Sequence, residues 1–252
     1  MISYSMEVKN MSFKEKLVQN GSPTSLGWGL IASAIIASLI GIITSITVFV
    51  RVFKIRKQFN KTLEENAKNA IMKIKGSELD AKDEFINKAF STNINELDML
   101  HIVKSVYLNY AQNVLIDGLN LENLYLTLKT MTLASIEIDP RAINSKIWNE
   151  AVIKFKDKIT EKPCFIDSDD KKYNLIISAN DNSSNTEIFN KLYPKLTLGG
   201  LLMVIQNPII KSDLKDLKRD LKIKNIRFEA SKNKALFLYI VKSETDSLPY
   251  LQ

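Results

Sequence analysis

The residues able to do chemistry in this chain are few, and most are carboxylates at the ends of short apolar runs. NVLIDG carries Asp117 and Gly118, TLASIEID carries Glu137 and Asp139, FIDSDD carries Asp169, and YNLIISAND carries Ala179 and Asp181. Acids in such places can orient a ligand's hydroxyls or hold a proton. Other chemistries lack residues. The single cysteine, Cys164, excludes an intrachain disulfide and a cysteine-cluster zinc site. Lying between Pro163 and Phe165, it reads as a small core residue. The lone His101 cannot seed a multi-histidine metal site, and its context ELDMLHIVKSVYL reads as a packing helix. No Gly-x-x-x-x-Gly-Lys-Ser/Thr loop occurs, which excludes the commonest phosphate loop.

The elements that must position these acids follow from periodicity. Helical stretches are expected over Asp80–Phe90 and Glu96–Gln112, the second with an inward face of Leu97, Leu100, Val103, Val106 and Tyr107. Beyond them, strand-length runs (NVLIDG, TLASIEID, PCFID, YNLIISA, GGLLMVIQ, IRFEA, ALFLYIVK) alternate with helical segments. Pro140-Arg141 reads as a helix start, proline being favoured in a first turn. Lys211–Lys222 reads as a charged amphipathic helix with Leu214, Leu217 and Leu221 inward. Short apolar strands alternating with helices predict an α/β domain whose inner strands are parallel and covered on both faces. Ligands of such sheets bind beyond the carboxyl ends of the strands, where the strand order reverses.

The N-terminal part predicts a membrane anchor. No charge occurs between Lys16 and Arg51, and LGWGLIASAIIASLIGIITSITVFV, residues 26–50, is nearly all apolar. A helix of that length covers the ~30 Å hydrocarbon core of a bilayer. Arg51, Lys54, Arg56, Lys57 and Lys61 follow at once, so the expected topology is a single pass with residues 1–25 outside and the C-terminal part cytoplasmic. The net charge of +7 is local. Residues 51–75 hold eight basic and two acidic residues, whereas the chain from Gly76 onward is balanced. That places the basic surface against anionic membrane lipids and leaves no broad phosphate-binding face, so no nucleic acid partner is expected. The expected organisation is thus 1–25, a transmembrane helix at 26–50, a basic helical linker at 51–93, and one domain at 94–252.

Over residues 94–242 the order of elements resembles a class I S-adenosylmethionine-dependent methyltransferase, nearest to the O-methyltransferases. TLASIEIDPRAI is similar to that family's second strand and acidic turn. YNLIISAND, with NTEIFNKLYPKLTLGGLLMVIQ, is similar to its fourth strand, the next helix and the entry to the fifth strand. With the anchor, the layout also resembles anchored methyltransferase-like proteins of wall-less bacteria. The resemblance implies a Rossmann-like, mostly parallel sheet with an antiparallel last strand, and S-adenosylmethionine as cofactor. It implies that Gly118 and Asn120 form the turn meeting the cofactor, that Glu137 (Asp139 as second choice) accepts the ribose hydroxyls, and that Asp169 lies near the adenine. It also implies that Ala179 lies at the cofactor-facing end of the fourth strand. Asp181 is the expected proton acceptor, ahead of Tyr173.

Departures from the family pattern are equally specific. Asn120 and Glu122 stand where further glycines are expected, and Ile116 occupies the usual acidic position beside Asp117. Ala179 replaces the aspartate that metal-dependent relatives use, so no metal is expected. Only about six residues join PCFID to YNLII, fewer than the dozen or so of a usual parallel crossover. Either the crossover helix is lost, or PCFID is not the third strand. The expected function is a membrane-anchored, cytoplasm-facing methyltransferase acting on a small-molecule or lipid-associated acceptor. The alternative is a methyltransferase-like fold acting as a membrane-bound binding or scaffold module.

Overall fold

The computed structural model describes residues 17–19, 22–79, 81–168, 170–179, 182–206 and 211–243. The chain divides into two compact units, Met1–Leu63 and Glu64–Gln252. A long helix, α1 (Ser25–Lys75), begins in the first. In its apolar stretch the side chains of Trp28, Ile36, Ile43 and Phe49 are all exposed, an arrangement that is unfavourable in water. Its hydroxyls are satisfied within the helix. Ser33 donates to the Leu30 carbonyl at 2.9 Å, Ser38 to Ala34 at 2.8 Å and Thr47 to Ile43 at 2.8 Å. This is how polar groups are accommodated where water is absent. Among the described residues, one helix is long and apolar enough to cross a membrane, and it is this one.

In the second unit, the last turns of α1 bury Ala70 and Ile71 in the domain core. Next come α2 (Glu84–Ala89) and α3 (Glu96–Leu108). The remaining elements alternate as read from the runs: β1 (Asn113–Gly118), α4 (Glu122–Met131), β2 (Ser135–Ile138), α5 (Ser145–Lys154), β3 (Tyr173–Ala179), α6 (Asn185–Leu192), β4 (Leu196–Ile205), α7 (Lys211–Ile223), β5 (Arg227–Lys232) and β6 (Leu236–Val241). They form one six-stranded sheet in the order β2-β1-β3-β4-β6-β5. The first four strands are parallel, and β6 is antiparallel to both neighbours.

Each face of the sheet buries its own core. Val114, Ile116, Ile136 and Ile177 pack with Ile102, Val106, Leu124 and Trp148 from α3, α4 and α5. Leu115, Ile176, Leu202 and Leu238 pack with Ile188 and Phe189 of α6 and with Leu214, Leu217 and Leu221 of α7. Strands buried on both faces read as unbroken apolar runs for this reason.

Several expectations are corrected. Pro140 opens a single 3-10 turn, Pro140–Ala142, and α5 starts later, capped by Asn144, whose Oδ1 accepts from Lys146 N at 3.1 Å. Leu97 is exposed rather than inward. Its neighbour Asp98 is buried instead, accepting from Lys234 N at 3.0 Å and Ala235 N at 2.9 Å in the turn between β5 and β6. Cys164 is exposed, not a core residue. PCFID lies where a third strand would run, but it pairs with β2 by one parallel bridge, Ile138 to Phe165. The crossover helix is the part that is lost, and the few residues from Ile166 to Lys172 connect that bridge to β3.

Candidate functional site

The strand order reverses between β1 and β3, and Gly118 and Ala179 are register partners at that point. Gly118 has φ +140°, and a Cβ there would lie 1.8 Å from the Ala179 carbonyl oxygen. No other residue fits. One pair earlier, Asp117 stands beside Ser178. Asp117 Oδ2 and Ser178 Oγ are both buried without a hydrogen-bond partner among the described residues. Unsatisfied buried oxygens are uncommon in folded proteins, and two on adjacent strands at a switch point fit a polar ligand group.

Four charges lie along this rim. Asp139 caps the 3-10 turn, accepting from Arg141 N at 2.9 Å and Arg141 Nε at 3.1 Å. Lys191, from α6, donates to Asp139 at 3.1 Å and also pairs with Asp117. Arg141 Nη2 reaches Asp117 at 3.3 Å. Burial raises the Asp117 carboxyl above its ordinary range, and Lys191 only partly offsets that. Burial pushes Asp139 the same way, but the bonds from Arg141 and Lys191 outweigh it and hold that carboxyl well below the usual range. The two acids are thus driven apart by their surroundings and by each other. The neighbouring Asp139 carboxyl raises Asp117 while Asp117 helps lower Asp139, leaving Asp139 charged and Asp117 resisting charge.

Glu137 lies level with Leu115, three residues short of Gly118, on the α6 and α7 side of the sheet. Its two oxygens are taken by different partners. Lys171 pairs with Oε1, and the Tyr173 hydroxyl donates to Oε2 at 2.7 Å. Burial and the carboxylate together push the Tyr173 phenol well above its ordinary range. Lys171, just before β3, and Tyr173, at its start, both reach Glu137 on β2.

Beyond Gly118 the turn alternates two leucines with Asn120 and Glu122. Asn120 has φ +53°, the positive value that asparagine tolerates, and its side chain is exposed. Leu121 N donates to the Ala142 carbonyl at 2.7 Å, which ties the turn to the one after β2. Glu122 opens α4 and is nearly fully buried, with Oε1 accepting from Asn144 N at 2.5 Å. Between these turns and the loop at Phe90–Asn93 lies a cleft of about 300 Å³, lined by Ser91, Asn93, Asn120, Glu122, Asn144 and Ile147 among others. Its size is at the lower end of small-molecule sites.

Of the residues expected from the sequence, Gly118, Asn120 and Ala179 come together at the switch point, and Glu137 lies below it. Asp169 and Asp181 are outside the described residues. Arg141, Lys191, Lys171 and Ser178 were not anticipated.

No family model and no curated protein matches the sequence. Solved structures do. An O-methyltransferase from Bacillus cereus, in complex with S-adenosylhomocysteine, is 9% identical, with 69% of this chain and 96% of that one covered at a TM-score of 0.51. The domain has the class I methyltransferase fold. An S-adenosylmethionine-dependent O-methyltransferase from Thermotoga maritima is also similar, at 12% identity, 64% and 70% coverage and a TM-score of 0.49. In terms of that fold, β1, β2, β3 and β4 are its first, second, fourth and fifth strands, the third survives as the Phe165 bridge, and β6 is its antiparallel last strand.

Proposed function

We propose that this chain is an S-adenosylmethionine-dependent methyltransferase held at a membrane by α1, with its domain facing the cytoplasm. The observation that carries the reading is the switch point of a class I methyltransferase fold. There Gly118 lies against Ala179, and Asp117 and Ser178 keep two buried oxygens without partners.

S-adenosylmethionine supplies an electrophilic methyl group when bound. The rest of the work is positioning and exclusion of water. Gly118 and Asn120 are assigned to the turn that meets the cofactor. Glu137 is assigned to the ribose hydroxyls, a role that requires Lys171 and the Tyr173 hydroxyl to give up its oxygens. Asp139, with its carboxyl held charged at the rim, is the second carboxylate suited to them. Asp169 is assigned to the adenine end. Asp181, two residues after Ala179, is assigned to hold the proton that the acceptor loses. The acceptor is a small molecule or a lipid-associated group, since anchoring by α1 and its basic continuation keeps the site near anionic membrane lipids.

Two experiments test this. Ultraviolet photolabelling of the full chain with methyl-tritiated S-adenosylmethionine should label it, and excess S-adenosylhomocysteine should remove the label. Flotation with vesicles containing anionic lipid should carry the chain upward even in 1 M salt, because insertion is apolar while surface attraction is screened. A chain that takes no label but floats is the membrane-bound scaffold. A chain that stays at the bottom is not anchored.

A further inference from the structure

We infer that the domain docks on an anionic bilayer surface by the edge at which its parallel strands begin, which leaves the switch-point rim open to the aqueous side. The inference rests on the membrane part of the reading above and not on its methyltransferase part. Because β1–β4 run parallel, each helix that follows one of them ends where the next strand starts, so strand starts and helix ends share one edge. Five large apolar side chains lie there: Tyr110 before β1, Leu133 before β2, Ile153 in the last turn of α5, Leu198 near the start of β4 and Ile223 at the end of α7. They are between 56% and 80% exposed, and among the other described residues of this unit only Leu97 is a large apolar side chain as much as half exposed. Apolar residues scattered singly over a surface are ordinary, whereas five gathered at one edge mark a contact surface.

Basic residues stand between them: Lys172 before β3, Lys195 before β4, Arg227 at the start of β5 and Lys242 after β6. Lys172 Nζ donates to the Pro194 carbonyl at 3.0 Å, and Lys242 Nζ to the Leu196 carbonyl at 3.0 Å. Carbonyls hold ammonium groups without cancelling their charge. Of the acids that follow α5, Asp157 and Glu161, the second pairs with Lys129 at 3.2 Å. Lys73 lies over the Tyr110 ring, 5.8 Å from its centroid. Tyr110 and Leu133 also wall a mainly apolar hollow of about 250 Å³ with Ile74. Tyrosine and aliphatic side chains among lysines suit a layer of anionic headgroups, where the apolar parts enter and the ammonium groups stay at the phosphates. The core of a protein interface is instead depleted of lysine. The chain's own span keeps a bilayer at high effective concentration. The seven residues of β3, at ~3.3 Å each, put the rim about 20 Å from the docked edge. The acceptor then arrives from solution.

Fluorescence quenching on the full chain, in vesicles of anionic lipid carrying a nitroxide on the headgroup, tests this. One label goes on Cys164, the single cysteine, exposed at the opposite edge with its carbonyl accepting from Ile138 N at 2.9 Å. The other goes on Leu198→Cys in a Cys164→Ser background, with Ile223→Cys as the second position if that variant fails to fold. The label at position 198 should lose most of its emission, and the label on Cys164 should keep most of it. Lys172→Glu with Lys195→Glu should restore emission at position 198, and so should high salt, because surface attraction is screened. Equal quenching at both positions, or more at Cys164, overturns the docking and leaves the anchor standing. Emission at position 198 that is lost only to a second labelled copy assigns the edge to self-association and overturns it too. A chain that does not float with the vesicles overturns both the docking and the anchor.

Discussion

Asp117 and Ser178 are register partners on β1 and β3, and each buries an oxygen with no hydrogen-bond partner among the described residues. An unmet buried hydroxyl costs stability in the unliganded state. Ser178→Ala should therefore leave the apo melting temperature unchanged or raise it by roughly 2–4 °C, the equivalent of up to ~1 kcal/mol in a domain of this size. It should also reduce the shift that S-adenosylhomocysteine produces. A fall of several degrees without ligand would show that the hydroxyl already has a partner.

Lys191 compensates two acids at once. Lys191→Met should cost about 1–3 kcal/mol at pH 7, less than the ~3–5 of a fully buried pair, because Lys191 is partly in water and Arg141 stays near Asp117. The sign of the pH dependence follows from Asp117, whose carboxyl is already raised by burial. Removing the lysine raises it further, so the folded state binds the proton more tightly than the unfolded state. The deficit should open as pH rises above the ordinary aspartate range and close below it. Urea midpoints at pH 7 and in mild acid measure it, and an equal deficit at both would contradict the assignment.

Lys171 competes for the oxygen of Glu137 that a ribose would use. If Glu137 serves that role, Lys171→Ala should tighten S-adenosylhomocysteine binding by roughly two- to five-fold, the worth of a partly exposed pair. It should also lower apo stability. Unchanged or weaker binding would assign the ribose to Asp139 instead.

His101 meets the Tyr239 hydroxyl at 2.6 Å, and burial lowers the imidazole's pKa from its ordinary 6.5. The folded state then resists protonation. Stability contributed by the neutral ring is present above pH 6.5 and lost as pH falls below it. His101→Gln should shrink the difference in melting temperature between pH 7.5 and pH 5.5. A difference as large as in the wild type would place its source elsewhere.

Much of the scaffold was legible because its signals are local. Leu214, Leu217 and Leu221 face inward as their spacing indicated, the runs NVLIDG and YNLIISA became inner strands, and TLASIEID supplied the edge strand β2. The glycine turn was legible at Gly118, where backbone closeness leaves no alternative residue. The charge network was not. Lys191 meets Asp117 across 74 residues and Lys171 meets Glu137 across 34, and an isolated lysine on a helix or loop carries no mark of a distant partner. Cys164 was misread because PCFID looks like a strand, whereas one bridge at a sheet edge leaves its side chain in water. Leu97 was misread for the converse reason: Asp98, a polar residue, is drawn inward by two backbone donors from a hairpin far along the chain.

Calorimetric titration of the full chain in detergent micelles with S-adenosylhomocysteine tests the central claim most directly. One site per chain, weakened when Gly118→Ala forces the turn away from Ala179, is the predicted result. An absence of binding up to millimolar ligand would contradict it and leave a methyltransferase fold whose rim is closed by its own ion pairs.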